Sequence, residues 1–287
     1  MKPLIRVIPL LYIKGPNLVQ SVQREGLRVL GDPCAYARYY YEEFGADEII
    51  YMDVVASLYL RNNLTEILSY AVADVFVPVG AGGGVRSVSD ARSLLLAGAD
   101  KVVVNTAATQ RPQLIRELAD VLGCQSVVVH IDAKQCGSHW EAMRDCAREK
   151  TGRDVMRWVE EVVTLGAGEI LLLSVDKDGT GSGFDLPLIH AVASVCTVPL
   201  IAAGGCGTPQ HAVEAVQAGA DAVAISSFLH YGAMPHLAVT GAQEGNTEFL
   251  RGTRGVPRFG GTIQDIKQAL AQAGYPVRAT DQPAAVA

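Results

Sequence analysis

The segment AGADKVVVNT (97–106) returns as AGADAVAISS (218–227), 121 residues further on. GADEII (45–50) returns as GAGEIL (166–171), and the pair Gly83–Gly84 as Gly204–Gly205, both at the same spacing of 121. Lys14 and Lys134 stand 120 apart, at the ends of two apolar runs, LLYIK and HIDAK. A period this long rules out a solenoid of small units, whose repeats span 20–50 residues. It describes one fold made of two copies of the same half.

Within each half, short runs rich in Val, Ile and Leu alternate with amphipathic segments. The runs at 4–10, 48–53, 74–79, 101–105, 126–132, 169–174, 199–203 and 222–226 show little polar alternation. That is the pattern of strands covered on both faces. Helical segments between them, such as SVSDARSLLLAGA and TPQHAVEAVQAGA, open on a Ser or Thr cap and close near a Gly. Eight such units predict a (β/α)8 TIM barrel, a single α/β domain over 1–287 with half-barrels at about 4–122 and 123–277. Two segments break the repeat. One is 135–152, read as a long loop after the fifth strand, and the other is a Gly-rich insertion at 232–261. Both follow strands and so belong to the face where barrels do their chemistry. The tail 279–287 is expected to be unordered.

Composition narrows the function. Apolar residues make up 49% of the chain, enough for a large core without covalent staples. The net charge of −6, with no basic cluster, argues against nucleic acid or an anionic membrane as main partner. The start MKPLIRVIPLLYIKGPN carries Arg6 and Lys14 and reads as a first strand, not a signal peptide, and the scattered cysteines fit reduced thiols in a cytoplasmic protein. The six cysteines form no CxxC pair, and Cys136, His139 and Cys146 fit no standard zinc spacing. No metal or other cofactor is expected.

The repeat also places chemistry. Glycines after strands three and seven, Gly84 and Gly205, let backbone N–H groups approach an anion. Asn105–Thr106 and Ser226–Ser227, after strands four and eight, set side-chain donors beside them. Two phosphate cradles related by a twofold are therefore expected across the barrel mouth, fitted to a substrate with a phosphate at each end. Asp132 ends strand five and points to that mouth as a general acid or base. The loop after strand six offers Asp176 and Asp178, with Gly179 as a further phosphate contact. At the opposite end Arg6, Glu48, Lys101 and Glu169 each begin a strand. Two acids and two bases there predict a closed ring, since desolvated charges must pair.

GDP, GADE, GGGVRSVSDARSLLLAGADKV, NTAA, SVVVHIDAK, GAGEILLLSVDKDGTGSGFD and AAGGCG together resemble the HisF family, the cyclase subunits of imidazole glycerol phosphate synthase, from Arg6 to about Arg278. The resemblance implies a barrel that takes ammonia from a HisH-like glutamine amidotransferase on its N-terminal face. There Asp100 would meet the partner and the four-charge ring would act as a gate. It further implies two aspartates doing acid/base work on a bis-phosphorylated substrate. One of them matches Asp132. The other falls on Tyr12, the family's lysine in the first loop falls on Gln20, and a hydroxyl residue after strand six falls on Leu173. A phenol titrating near 10 is no carboxylate base. The resemblance therefore points to a divergent paralogue that delivers ammonia to a phosphorylated or sugar-derived acceptor, of the kind serving surface-sugar amidation. The alternatives are an orthodox cyclase and a non-catalytic conduit or scaffold.

Overall fold

In the computed structural model, which describes residues 3–42, 45–56, 64–237 and 259–279, eight parallel strands close into a barrel. The staves are β1 (Arg6–Lys14), β4 (Ile49–Asp53), β5 (Val79–Gly82), β6 (Lys101–Val104), β7 (Val127–Cys136), β10 (Glu169–Ser174), β11 (Leu200–Ala203) and β12 (Ala222–Ile225). They pair in that order, β12 returns to β1, and β7 pairs with β10 to complete the circuit of the second half. Helices between the staves form the outer layer, as the (β/α)8 reading predicts.

The alternation of side chains along each stave sorts the core into two parts. On β1, Val7, Leu11 and Ile13 join the layer between strands and helices, while Ile8, Leu10 and Tyr12 face inward. On β10, Ile170 and Leu172 face out and Leu171 and Leu173 face in. The interior so formed, with Ile50, Val128, Ile201 and Ala224 from other staves, is closed to solvent. Trp158, on the helix Val155–Thr164, anchors the outer layer at 1% exposure.

Three expectations from the sequence need correction. The third stave starts at Val79 and does not run over 74–79. Pro78 has no N–H to donate, so ladder pairing with β4 begins at the next residue. The first and fifth staves run past 10 and 132 to Lys14 and Cys136, because each turns back into an antiparallel hairpin. After β1 the chain forms β2 (Asn17–Val22) and β3 (Glu25–Gly31), and after β7 it forms β8 (His139–Arg144) and β9 (Glu149–Asp154). The segment 135–152 is thus mostly hairpin and not loop. Both hairpins follow the first stave of their half, so they are repeat mates in the fold. Most of the 232–261 insertion and nearly all of the tail lie outside the described residues.

Gly83 shows how tightly the βα turns are built. Its φ is +109°, and a Cβ there would lie 2.4 Å from the Asp53 carbonyl oxygen. Gly83→Ala is expected to cost about 2–4 kcal/mol from backbone strain and overlap, read as a lowered midpoint in urea. Ala at the exposed Arg92, on the helix that follows, is expected to change stability by about 0.5 kcal/mol or less.

Candidate functional site

At the N-terminal end of the staves the four charged residues converge as the sequence predicts. Arg6 reaches Glu48 at 2.5 Å and Glu169 at 3.3 Å. The Lys101 ammonium donates to Glu48 at 2.9 and 3.0 Å and to Glu169 at 3.1 Å. Each base thus touches both acids. Glu48 is 1% exposed, and a carboxylate so buried is tolerable only because two cations share it. Inward alternation explains the convergence, since Lys101 and Glu169 sit two residues below the inward-facing Val103 and Leu171.

Asp100, at the same end, is exposed, and one of its carboxylate oxygens accepts from the Val79 backbone N–H at 2.8 Å. Its repeat mate Asp221 does the same for Leu200 at 2.9 Å. The residue is therefore a strand-start clamp, whatever else meets it from outside.

At the other end, Tyr12, His130 and Asp132 point into the mouth from β1 and β7. Asp132 does not pair with Lys134, which is exposed. Its partner is Arg24, carried in by the turn between β2 and β3 and 2.7 Å from Oδ1. Gln23 and Arg24 have positive φ, 52° and 66°, which folds this turn inward. Asn105 donates to the other oxygen of Asp132 at 2.9 Å. The Arg24 guanidinium lies 4.5 Å from the centre of the Tyr12 ring, and its Nε stands 3.9 Å from Asp178. The second hairpin tip mirrors the first, with Cys146 tucked under it and its Sγ 2.9 Å from the Val54 carbonyl.

The electrostatics separate these groups. Burial alone would raise the Asp132 pKa, but Arg24, His130 and the Asn105 bond together hold it below the usual carboxylate range. Asp178 goes the other way: burial, with Asp132 adding to it, pushes its pKa up to about 6 against the pull of Arg24. Burial drops His130 to about 4, so its imidazole is neutral, and Nε2 at 3.4 Å from Asp132 is no ion pair at pH 7. Burial lifts Tyr12 well above its ordinary value, which leaves a phenol and not a base. Burial likewise lifts the Cys146 thiol to about 11, so it is unreactive.

Buried polar atoms without partners gather here: Tyr12 OH, Arg24 Nε, Asn105 Oδ1, both His130 nitrogens and Asp178 Oδ2. Proteins rarely leave such groups unpaired, so a concentration of them at one mouth marks the place of a polar ligand. The two cradles differ. The first opens on a cavity of about 470 Å³ lined by Gly83, Gly84, Asn105 and Thr106 together with Arg24 and Asp132. The Thr106 hydroxyl already accepts from the Asp145 N–H at 3.0 Å. The second, at Gly179, Gly205, Ser226 and Ser227, is a cleft of about 10 Å³. Ser226 donates to Gln20 there, and Gly179 lies directly under Ser21, so the first hairpin sits on this cradle.

Sequence reasoning missed Arg24. The signal was present: LVQSV and LRVL alternate on either side of QREG, the mark of a hairpin with Gly in its turn. Asp176, weighed beside Asp178, has a structural place, accepting from the Gln135 N–H at 2.8 Å. Among the described residues no cluster of His, Cys, Asp and Glu is placed to hold a metal. Nor is any helix among them long and apolar enough to cross a membrane.

The family model described as histidine biosynthesis protein matches residues 6–235. A relative named imidazole glycerol phosphate synthase subunit HisF, from Legionella pneumophila, is 53% identical over 204 residues, 71% of this chain and 96% of its own. Relatives of the same name from Gluconacetobacter diazotrophicus and Thermococcus gammatolerans are 42% and 41% identical, over 96% and 95% of this chain.

The raised pKa of Asp178 has a measurable consequence. A carboxyl whose folded pKa exceeds its unfolded value of about 3.9 stabilises the fold fully below that value and loses the contribution as pH rises through about 6. Asp178→Asn removes the titration. It is expected to be nearly neutral for stability at pH 4 and to stabilise the protein by about 3 kcal/mol at pH 8, measured by urea unfolding at both pH values.

Proposed function

The chain belongs to the HisF family of histidine-biosynthesis proteins, and from that premise we propose that it is the cyclase subunit of a glutamine-dependent imidazole glycerol phosphate synthase. The observation that carries this reading is the pairing of a closed charge ring at one end of the barrel with a ligand-hungry polar mouth at the other, separated by an apolar interior. Such an arrangement suits a small neutral molecule that enters below and reacts above. Ammonia fits it, because the neutral form crosses an apolar interior that ammonium would not. A glutamine amidotransferase is the natural source. Leu4, Tyr70, Phe76, Leu96 and Val121 are exposed at strand starts and helix ends on the ring side, an apolar surface suited to such a partner.

Above, the first cradle takes one phosphate of the substrate on the backbone N–H groups of Gly83–Gly84 and the side chains of Asn105 and Thr106. The second cradle takes the other phosphate once Gln20 leaves Ser226. Asp132 and Asp178 then flank the reacting centre and together supply the fixed charge and the proton transfer that ring closure and bond cleavage need. The names of the relatives favour this cyclase over the surface-sugar acceptor that Tyr12 led the sequence reading to expect. A second reading keeps the ring and changes the acceptor. It draws on Tyr12 in place of an acid and on the small second cradle.

Turnover of the bis-phosphorylated precursor with saturating ammonium and no partner tests the choice. Formation of imidazole glycerol phosphate, lowered about 10²–10⁴-fold by Asp132→Asn, is expected. Normal binding of the precursor with no product would sink the cyclase reading in favour of the second. The ring is tested separately with Lys101→Met. Arg6 still neutralises Glu48 in that variant, so the fold should persist. The expected result is a fall in glutamine-driven turnover with the partner, while ammonium-driven turnover stays unchanged.

A further inference from the structure

The mouth holds two buried carboxylates, Asp132 and Asp178, and one buried guanidinium, that of Arg24. We propose that Arg24 is a positioning residue that divides the labour between the carboxylates: it holds Asp132 as the permanent anion and leaves Asp178 as the group that carries the proton. The inference rests on the reading of the mouth as an acid/base site.

Geometry makes the division. Arg24 donates to Asp132 at 2.7 Å, and Asn105 occupies the other oxygen at 2.9 Å. A carboxylate bonded on both oxygens to donors is stabilised in its charged form and has little capacity to take a proton. Asp178 accepts from the Arg24 backbone N–H and the Ser21 hydroxyl, but it lies 3.9 Å from the guanidinium, beyond hydrogen-bond reach, and its Oδ2 is buried without a partner. It therefore receives the field of Asp132 but no bond from the charged guanidinium, the arrangement that pushes two nearby carboxyl groups apart in proton affinity. The other groups facing this cluster are Tyr12 on β1, His130 on β7, Cys146 on the second hairpin and Tyr231 on the helix Ser227–Ala233. None supplies a second cation at neutral pH.

The same geometry explains the phenol at position 12. A carboxylate there would put three acids around one cation and compete with Asp132 for Arg24. The Tyr12 ring offers the guanidinium a flat face at 4.5 Å, which holds it toward Asp132 without adding charge. Tyr12 and Arg24 act as a matched pair. The proton carrier that an acid at position 12 would have supplied is supplied by Asp178, which lines the same cleft as Tyr12.

Carboxyl titration by NMR, with 13Cγ-labelled aspartate in the full chain, tests this without any substrate. A failure of the cyclase assay would therefore leave it untouched. Asp132→Asn and Asp178→Asn assign the two signals. In the wild type Asp178 should titrate near pH 6 and Asp132 well below it. Arg24→Met keeps the apolar stem on Tyr12. It should raise the Asp132 midpoint by about one pH unit or more, a tenfold rise in proton affinity, and Arg24→Lys should recover most of the difference. An unmoved Asp132 midpoint in a folded Arg24→Met protein would reduce Arg24 to a lock for the hairpin and overturn the proposal. Should that variant not fold, the wild type still decides: Asp178 titrating in the ordinary range near 4, beside Asp132, overturns it, and widely separated midpoints that close up in Arg24→Lys support it.

Discussion

In a closed barrel every second side chain of a stave points into an interior that water does not enter, and whatever charge lies there must find its partner inside. That constraint shapes both ends of this molecule. Below, Arg6, Glu48, Lys101 and Glu169 pair among themselves, each base with both acids. In the middle Ile8, Ile50, Val128, Leu171 and Ile201 leave no polar atom to bind. Above, Tyr12, His130 and Asp132 emerge from the same inward rows. An ionic ring that only stabilised would be a poor choice, since apolar residues of similar volume often do as well or better. Its position at the mouth of an apolar interior is the one that the proposed ammonia gate requires.

Arg24 solves the corresponding problem at the top. Asp132 at 2% exposure requires a cation, and none of the staves supplies one. A hairpin tip with left-handed backbone does so from above, at the expense of strain of order 1–3 kcal/mol per residue so held. Removing one member of such a pair leaves the other buried and unpaired, a loss of about 3–5 kcal/mol. The hairpin is thereby tied to the mouth, and the same hairpin carries Gln20 to Ser226.

Much of this was legible in the sequence, and what was not has physical causes. The 121-residue repeat gave the barrel, and glutamates at matched positions gave the ring, because inward alternation fixes where a residue at a strand start must point. The third stave was misplaced because DVFVPV looks like a strand until Pro78 is counted as a missing donor. The hairpins were read as loop or left unassigned because polar alternation over five or six residues is weak beside the apolar runs of the staves. Arg24 was invisible as a site residue: its role comes from a turn that folds it 108 positions away, onto Asp132. Asp178 was found by its loop, but nothing in its neighbours along the chain revealed a carboxyl titrating near 6, which follows from burial in the folded mouth alone.

The central claim is that one polar ligand completes the mouth. A crystal structure with the bis-phosphorylated precursor bound tests it most directly. The account predicts one phosphate on the N–H groups of Gly83–Gly84 beside Asn105 and Thr106, the other at Gly205 with Ser226–Ser227 after Gln20 has moved, and new partners for Tyr12 OH and Asp178 Oδ2. A ligand seated elsewhere, with those two atoms still unpaired and the ring side of the barrel unchanged, would contradict it.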